Sequence, residues 1–264
     1  MSFNKPFHRN YRKIKEGHNS GYSSWAYIVD HNYSQNPEYY TRAFSIIQED
    51  ILKLFEYVEP SDINNTTYSF RIHELLMRTC IEVEANFKAI LRENIFTPVY
   101  KNGPKKGVLR LEKEWNVNDF KIVNKTHHLD DYSIELPFWK GHNKIRKPFE
   151  QWKTNQTLVW YDSYNQSKHN RVNNFEQANL KHLIDAFSGL CVLLSSQFCT
   201  EDFKPGSRSL EVNTDCYYGG GFGLGNFLIV DFPDDWKDDE LYEFDWTKLK
   251  DETERFSKID YNTI

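Results

Sequence analysis

A chain of 264 residues with 39% hydrophobic and 16% aromatic residues can bury a sizeable core, which excludes a disordered chain outside its ends. No apolar run reaches the ~18 residues that span a bilayer, and the start, MSFNKPFHRNYRKIKEGHNS, lacks the apolar core of a secretion signal, so a cytoplasmic protein with no membrane partner is expected. The net charge of −5 is unevenly spread: Lys101 to Lys153 holds twelve Lys/Arg against seven Asp/Glu, and Asp231 to the end holds five against twelve. A uniformly basic nucleic-acid binder is excluded; a local basic patch is not.

Residues 1–24 are polar and basic without apolar periodicity and are expected to form a flexible arm, leaving 25–264 as one domain. A first long helix is predicted over about 37–58, with Asn36 as cap, Pro37 in the first turn, and Phe44, Ile47, Ile51, Leu54 and Val58 at helical spacing. A second, over about 67–94, carries an apolar stripe (Ile72, Leu76, Cys80, Val83, Phe87, Ile90) and a charged one (Arg71, Glu74, Arg78, Glu82). The periodicity then changes. Residues 95–150 read as a basic, aromatic-rich insertion, mostly β or irregular, in which DDYSIELPFWKGHNKIRKPFEQW predicts strand, turn, strand. Its aromatics (Tyr100, Trp115, Phe120, Tyr132, Phe138, Trp139) suit base stacking as well as core building.

Two further helices follow, over about 155–172 and 175–199; the last has so wide an apolar face that it must be buried, and its Gly189 permits a close helix contact. Residues 200–264 form a small β or irregular extension, in which a glycine-rich loop feeds a strand at 227–232. The four cysteines (Cys80, Cys191, Cys199, Cys216) show no CxxC spacing and read as reduced thiols. The fold class is mainly α, an up-and-down helical bundle with two appendages.

Several motifs compete for chemistry. HELLM (73–77) has Met77 where a zinc helix needs its second His, and belongs to a polar helix face. HHLDD (His127, His128, Asp130, Asp131) collects metal-capable groups without specifying a further ligand, and reads as a solvated loop. GGGFGLG (219–225) lacks the Lys-Ser/Thr of a phosphate loop and precedes a strand where that fold needs a helix. No metal or cofactor is specified.

The remaining candidate is WYDSYNQSKHNR (160–171). On a helix Asn165 and His169 share one face, Tyr161 lies a turn before, Tyr164 is within the same run, and Lys168 and Arg171 flank the edge. An amide, an imidazole and two fixed cations can bind a phosphate and move a proton beside it. The same residues can also serve as a polar seam between helices.

Two amphipathic helices, an insertion, a helix ending YNQSKHNR and a long apolar helix together resemble the HEPN superfamily, and more closely its bacterial members with a Tyr-Asn-x-x-Lys-His-x-Arg signature. The resemblance covers about 37–94 and 150–199. It implies a bundle that dimerises through the motif-bearing face and, in active members, a metal-independent endoribonuclease working with an antitoxin or a phage-defence partner. On that pattern His169 is the catalytic acid/base, Asn165 orients it, Lys168 and Arg171 clamp phosphate, and Tyr161 and Tyr164 contact substrate.

The family's Arg, expected a few residues before His169, is missing: 162–164 are Asp, Ser and Tyr. The other arithmetic fit, Arg12 to His18, lies in the polar arm and reads as chance. Three readings therefore stay open: a protein that binds RNA or a nucleotide at the Asn165/His169/Arg171 face with catalysis lost, an active endoribonuclease, and a structural or interaction module.

Overall fold

The computed structural model describes residues 2–203 and 224–264. A short helix, α1 (Ser20–Ala26), precedes the two long amphipathic helices, α2 (Pro37–Phe55) and α3 (Phe70–Glu93). Proline has no N–H to lose, so Pro37 fits the first turn of α2. The expected Asn36 side-chain cap is not made: the residue sits in the left-handed region (φ 49°, ψ 50°) and its amide bonds nothing in the helix. Ser69 does cap α3, its hydroxyl accepting from the Ile72 amide at 3.2 Å. The predicted stripes are buried, from Phe44 to Leu54 on α2 and from Ile72 to Ile90 on α3.

The insertion contains more helix and less strand than the alternation suggested: α4 (Val117–Phe120), α5 (Asn124–His127), then β1 (Ser133–Glu135) and β2 (Ile145–Arg146), which pair antiparallel. The other edge of β1 pairs antiparallel with β3 (Ile229–Asp231), giving the order β2-β1-β3. Insertion and C-terminal extension, which read as separate appendages, thus share one small sheet. Most aromatics of the insertion build core: Phe120 and Tyr132 are fully buried, Phe120 stacks on Phe87 with 5.1 Å between centroids, and Phe138 stacks on Phe227 at 4.3 Å.

The second pair of long helices is α6 (Val159–His169) and α8 (Leu180–Phe198), joined through a single turn, α7 (Arg171–Asn174); a last short helix, α9 (Trp246–Leu249), lies in the extension. On α8 every residue but Lys181 and Asp185 is buried. Phe187 stacks on Phe44 of α2 at 4.9 Å. A Cβ on Gly189 would stand 3.2 Å from the Trp160 ring, so the missing side chain lets α6 lie close to α8. Among the described residues no helix is long and apolar enough to cross a membrane.

The N-terminal segment is not a free arm. Phe3 and Ile14 bridge to Tyr242, and Phe7 bridges to Ser257. Arg9 is fully buried, its guanidinium 2.6 Å from the Glu93 carboxylate and donating to the Gln197 side chain at 3.0 Å. Arg12 is also buried, donating to the Glu240 carbonyl at 3.0 Å, so it is a packing residue and no partner for the exposed His18. The segment misleads because its apolar residues follow no period and its charges find partners far along the chain.

Candidate functional site

The run WYDSYNQSKHNR begins inside α6 and ends outside it. Asn155 takes the left-handed conformation (φ 61°) after a 3-10 turn, so the helix starts at Val159, four residues later than the pattern suggested. At the other end Asn170 (φ −144°, ψ 71°) interrupts it. Asn170, Val172, Asn173 and Asn174 are poor helix formers in succession, and their side chains compete with or crowd the helical turn. Lys168 and Arg171, expected on one helix edge, therefore belong to different helices.

The inner side of α6 is a seam. Tyr161 donates to Glu84 of α3 at 2.9 Å, and the Lys168 ammonium donates to the Tyr164 hydroxyl at 3.0 Å. Tyr164 is 1% exposed and Tyr161 6%. Burial first, then the Glu84 charge, raises both phenols well above their ordinary 10, so they stay protonated and accept no proton near neutrality. Tyr161 meets Glu84 while Ser167 lies against His73, so α6 runs antiparallel to α3.

On the outer side Tyr161, Asp162 and Asn165 line a cavity of about 280 Å³, completed by Asn118, Lys121, Trp152, Asn155 and Gln156. Asp162 accepts from Gln166 at 2.7 Å, and the Asn165 amide has no partner among the described residues. His169 and Arg171 do not line this cavity. Both are exposed, and neither has a hydrogen-bond or acidic partner among the described residues. Arg171 lies with its guanidinium carbon 5.7 Å from the centre of the Phe70 ring. It also faces His73: burial first, then the Arg171 charge, holds that imidazole below its ordinary value, and its Nε2 has no partner.

The structure thus divides the predicted constellation. Asn165 belongs to a cavity rich in amides, Tyr161 both to that cavity and to the seam, Tyr164 and Lys168 to the seam, His169 to the open helix end, and Arg171 to a surface cluster with Phe70 and His73. Glu84 and Phe70 escaped the sequence reading, and His73 was read only as part of a polar helix face. Glu84 falls outside the charged stripe traced from Arg71 to Glu82, and nothing in sequence marks Phe70, beside a cap, as exposed.

The other motifs fare differently. His127 is fully buried, its Nε2 2.8 Å from the Arg9 carbonyl, and burial lowers its pKa to about 3. His128 faces outward, Nδ1 3.6 Å from Asp131 and Nε2 3.2 Å from Glu240, and Asp235 completes a group whose ligand atoms lie within 4.8 Å. The further carboxylates that the motif left unspecified come from the C-terminal extension. Lys153, 2.6 Å from Asp131, already supplies a cation there, and the group ties the extension to the insertion. Among the described residues His73 belongs to no group of three or more metal-capable side chains. Of GGGFGLG, residues 219–223 lie outside the described residues, as does Cys216; Gly225 (φ 75°) packs where a Cβ would collide with the Gln48 side-chain amide. Cys80, Cys191 and Cys199 are free thiols.

The insertion's positive balance is also partly spent. Lys140, Lys144, Arg146 and Lys153 pair with Glu59, Glu135, Asp185 and Asp131. No family model matches this chain, and neither does any curated protein or solved structure.

Proposed function

We propose that this is an HEPN-like RNA-binding protein whose contact surface is the outer face and open end of α6. The observation that carries the reading is that His169 and Arg171 stand exposed without acidic partners among the described residues, although Tyr161 and Tyr164 of the same motif are buried and hydrogen-bonded. A cation left unpaired on a fixed surface costs little in water and is available to phosphate. The cavity beside Asn165 adds amide groups and Trp152, chemistry suited to a nucleobase. Pairing two such faces in a homodimer, as the resemblance implies, would double the cationic surface.

Catalysis is absent on this reading, because the residues ahead of His169 supply Asp, Ser and Tyr where a phosphorane-stabilising cation is needed, and Arg171 is engaged with Phe70 beyond a helix break. The active alternative has a defined product. His169 would take the 2′-hydroxyl proton, O2′ would attack phosphorus, and the 5′-oxygen would leave with a proton, giving a 2′,3′-cyclic phosphate and a 5′-hydroxyl.

The test is binding of end-labelled single-stranded RNA to the purified protein without metal, beside His169→Ala/Arg171→Ala. Binding without cleavage is expected. Losing the Arg171 phosphate contact should lower the slope of log affinity against log salt by about 0.7, the value for one cationic contact to a single strand. Cleavage with cyclic ends that disappears in His169→Ala would establish the nuclease, and unchanged affinity in the double variant would overturn the site.

A further inference from the structure

Exposed apolar side chains scattered singly need no explanation, whereas a contiguous group held rigidly on the surface does. Such a group lies beside Arg171. Phe70 is 70% exposed and Tyr68 50%, and both rings pack on Phe175, with centroids 4.8 Å and 5.6 Å away. His73 closes the inner side at 5.8 Å from Phe175.

The cluster is not the fringe of a loose loop. Tyr68 bridges to Asn179, the Leu180 amide donates to the Thr67 carbonyl at 2.8 Å, and the Lys181 amide donates to the Asn65 carbonyl at 3.0 Å. The N-termini of α3 and α8 are stapled together there, and the rings stand on the staple.

Charge decides what these rings would meet. Asp50 and Glu74, the acids of the adjoining helix faces, are taken up by Arg71 and Arg78. From Lys168 to Gln177 the chain carries Lys168, His169 and Arg171 against one carboxylate, Glu176. A partner must offer flat apolar faces and negative charge together, which describes unpaired bases on a phosphate backbone. Duplex RNA hides its base faces and lacks the first of these.

We propose that Tyr68, Phe70 and Phe175 form a stacking platform for an unpaired base of single-stranded RNA whose phosphate is held by Arg171. The inference rests on the RNA-binding reading and narrows its substrate to single strands. α6 leads from the amide-lined cavity, which Asn165 touches, to the platform, which Arg171 overlies, so a strand following its outer face meets both.

The experiment compares single-stranded and duplex RNA of one sequence on the full chain. Phe70→Ala is expected to weaken single-strand binding about 5- to 150-fold, the range for loss of one stacked base, with unaltered melting. Phe70→Leu, which keeps apolar bulk but no π-face, should lose nearly as much, and Phe70→Trp should retain binding and show fluorescence quenching on titration. Retained affinity in both Phe70→Ala and Phe70→Leu, with loss only in His169→Ala/Arg171→Ala, would overturn the platform and leave the RNA-binding reading standing. No binding by the unaltered protein overturns both. A change of oligomeric state in Phe70→Ala, without a change in RNA affinity, assigns the patch to a second copy of the chain and also overturns the proposal.

Discussion

Arg9 and Arg171 are the same side chain in opposite circumstances. Arg9, in a stretch that reads as a solvated basic arm, is fully buried and held by Glu93 and Gln197. Arg171, in a stretch that reads equally well as a helix seam, is exposed and has no acidic partner among the described residues. Sequence context misplaced the burial of Arg9 alone, because what settles it is a partner 84 residues along the chain; for Arg171, exposed as its place on the helix edge suggested, it missed only the helix break one residue before. A cation consumed inside the fold contributes to stability; one left outside is available for binding.

The largest effect that sharpens the contrast is expected at Arg9. Removing it leaves the Glu93 carboxylate buried and uncompensated, so Arg9→Ala should cost about 3–5 kcal/mol in chemical denaturation. A loss below ~1 kcal/mol would mean that the N-terminal segment is held mainly by its aromatic contacts.

Next comes Glu201, another buried charge-bearing group, but one without a counter-ion among the described residues. It is 3% exposed with Oε2 unpartnered, and burial raises its pKa from the ordinary 4.5 to about 7. A carboxyl whose folded pKa is raised favours folding in its protonated form, so stability present below about 4.5 falls as pH rises through about 7. Glu201→Gln should stabilise the protein by about 2–3 kcal/mol near pH 8 and by little near pH 4.5. A pH-independent gain would assign the effect to packing. His127, lowered to about 3 by burial, acts on the acid side: the unfolded chain takes its proton first, so stability falls as pH drops from about 6.5 toward 3.

A smaller effect is expected at the surface network around Asp50, where Arg71 and Arg78 converge at 2.8 and 2.6 Å. All three groups reach solvent, and Asp50→Asn should cost no more than about 1 kcal/mol, less at high salt. A larger loss would show that cations paired outside the fold also contribute strongly to its stability.

The long elements were legible because their information is local. Phe44 to Leu54 and Ile72 to Ile90 recur at helical spacing, and the near-total burial of α8 follows from a face too wide for a surface helix. What escaped depends on distant pairing: the third strand that β1 takes from the extension, the burial of Arg9, and the carboxylates that reach His128 from residues past 230. The candidate site was half legible. Helical spacing put Asn165 and His169 on one face, but the break at Asn170 is set by a run of weak helix formers too short to register against the pattern. The aromatic cluster beside Arg171 left no trace, since Tyr68, Phe70 and Phe175 meet only when the N-terminus of α3 reaches the turn before α8.

The central claim is that the end of α6 is kept open for RNA and does not hold the fold together. The most direct test measures thermal stability and single-stranded RNA affinity side by side for the unaltered chain and His169→Ala/Arg171→Ala. The account predicts a stability change within about 0.5 kcal/mol, as for surface substitutions away from special features, with RNA binding weakened and less dependent on salt. A double variant that melts early while binding RNA as before would contradict it and make the end of the motif part of the seam.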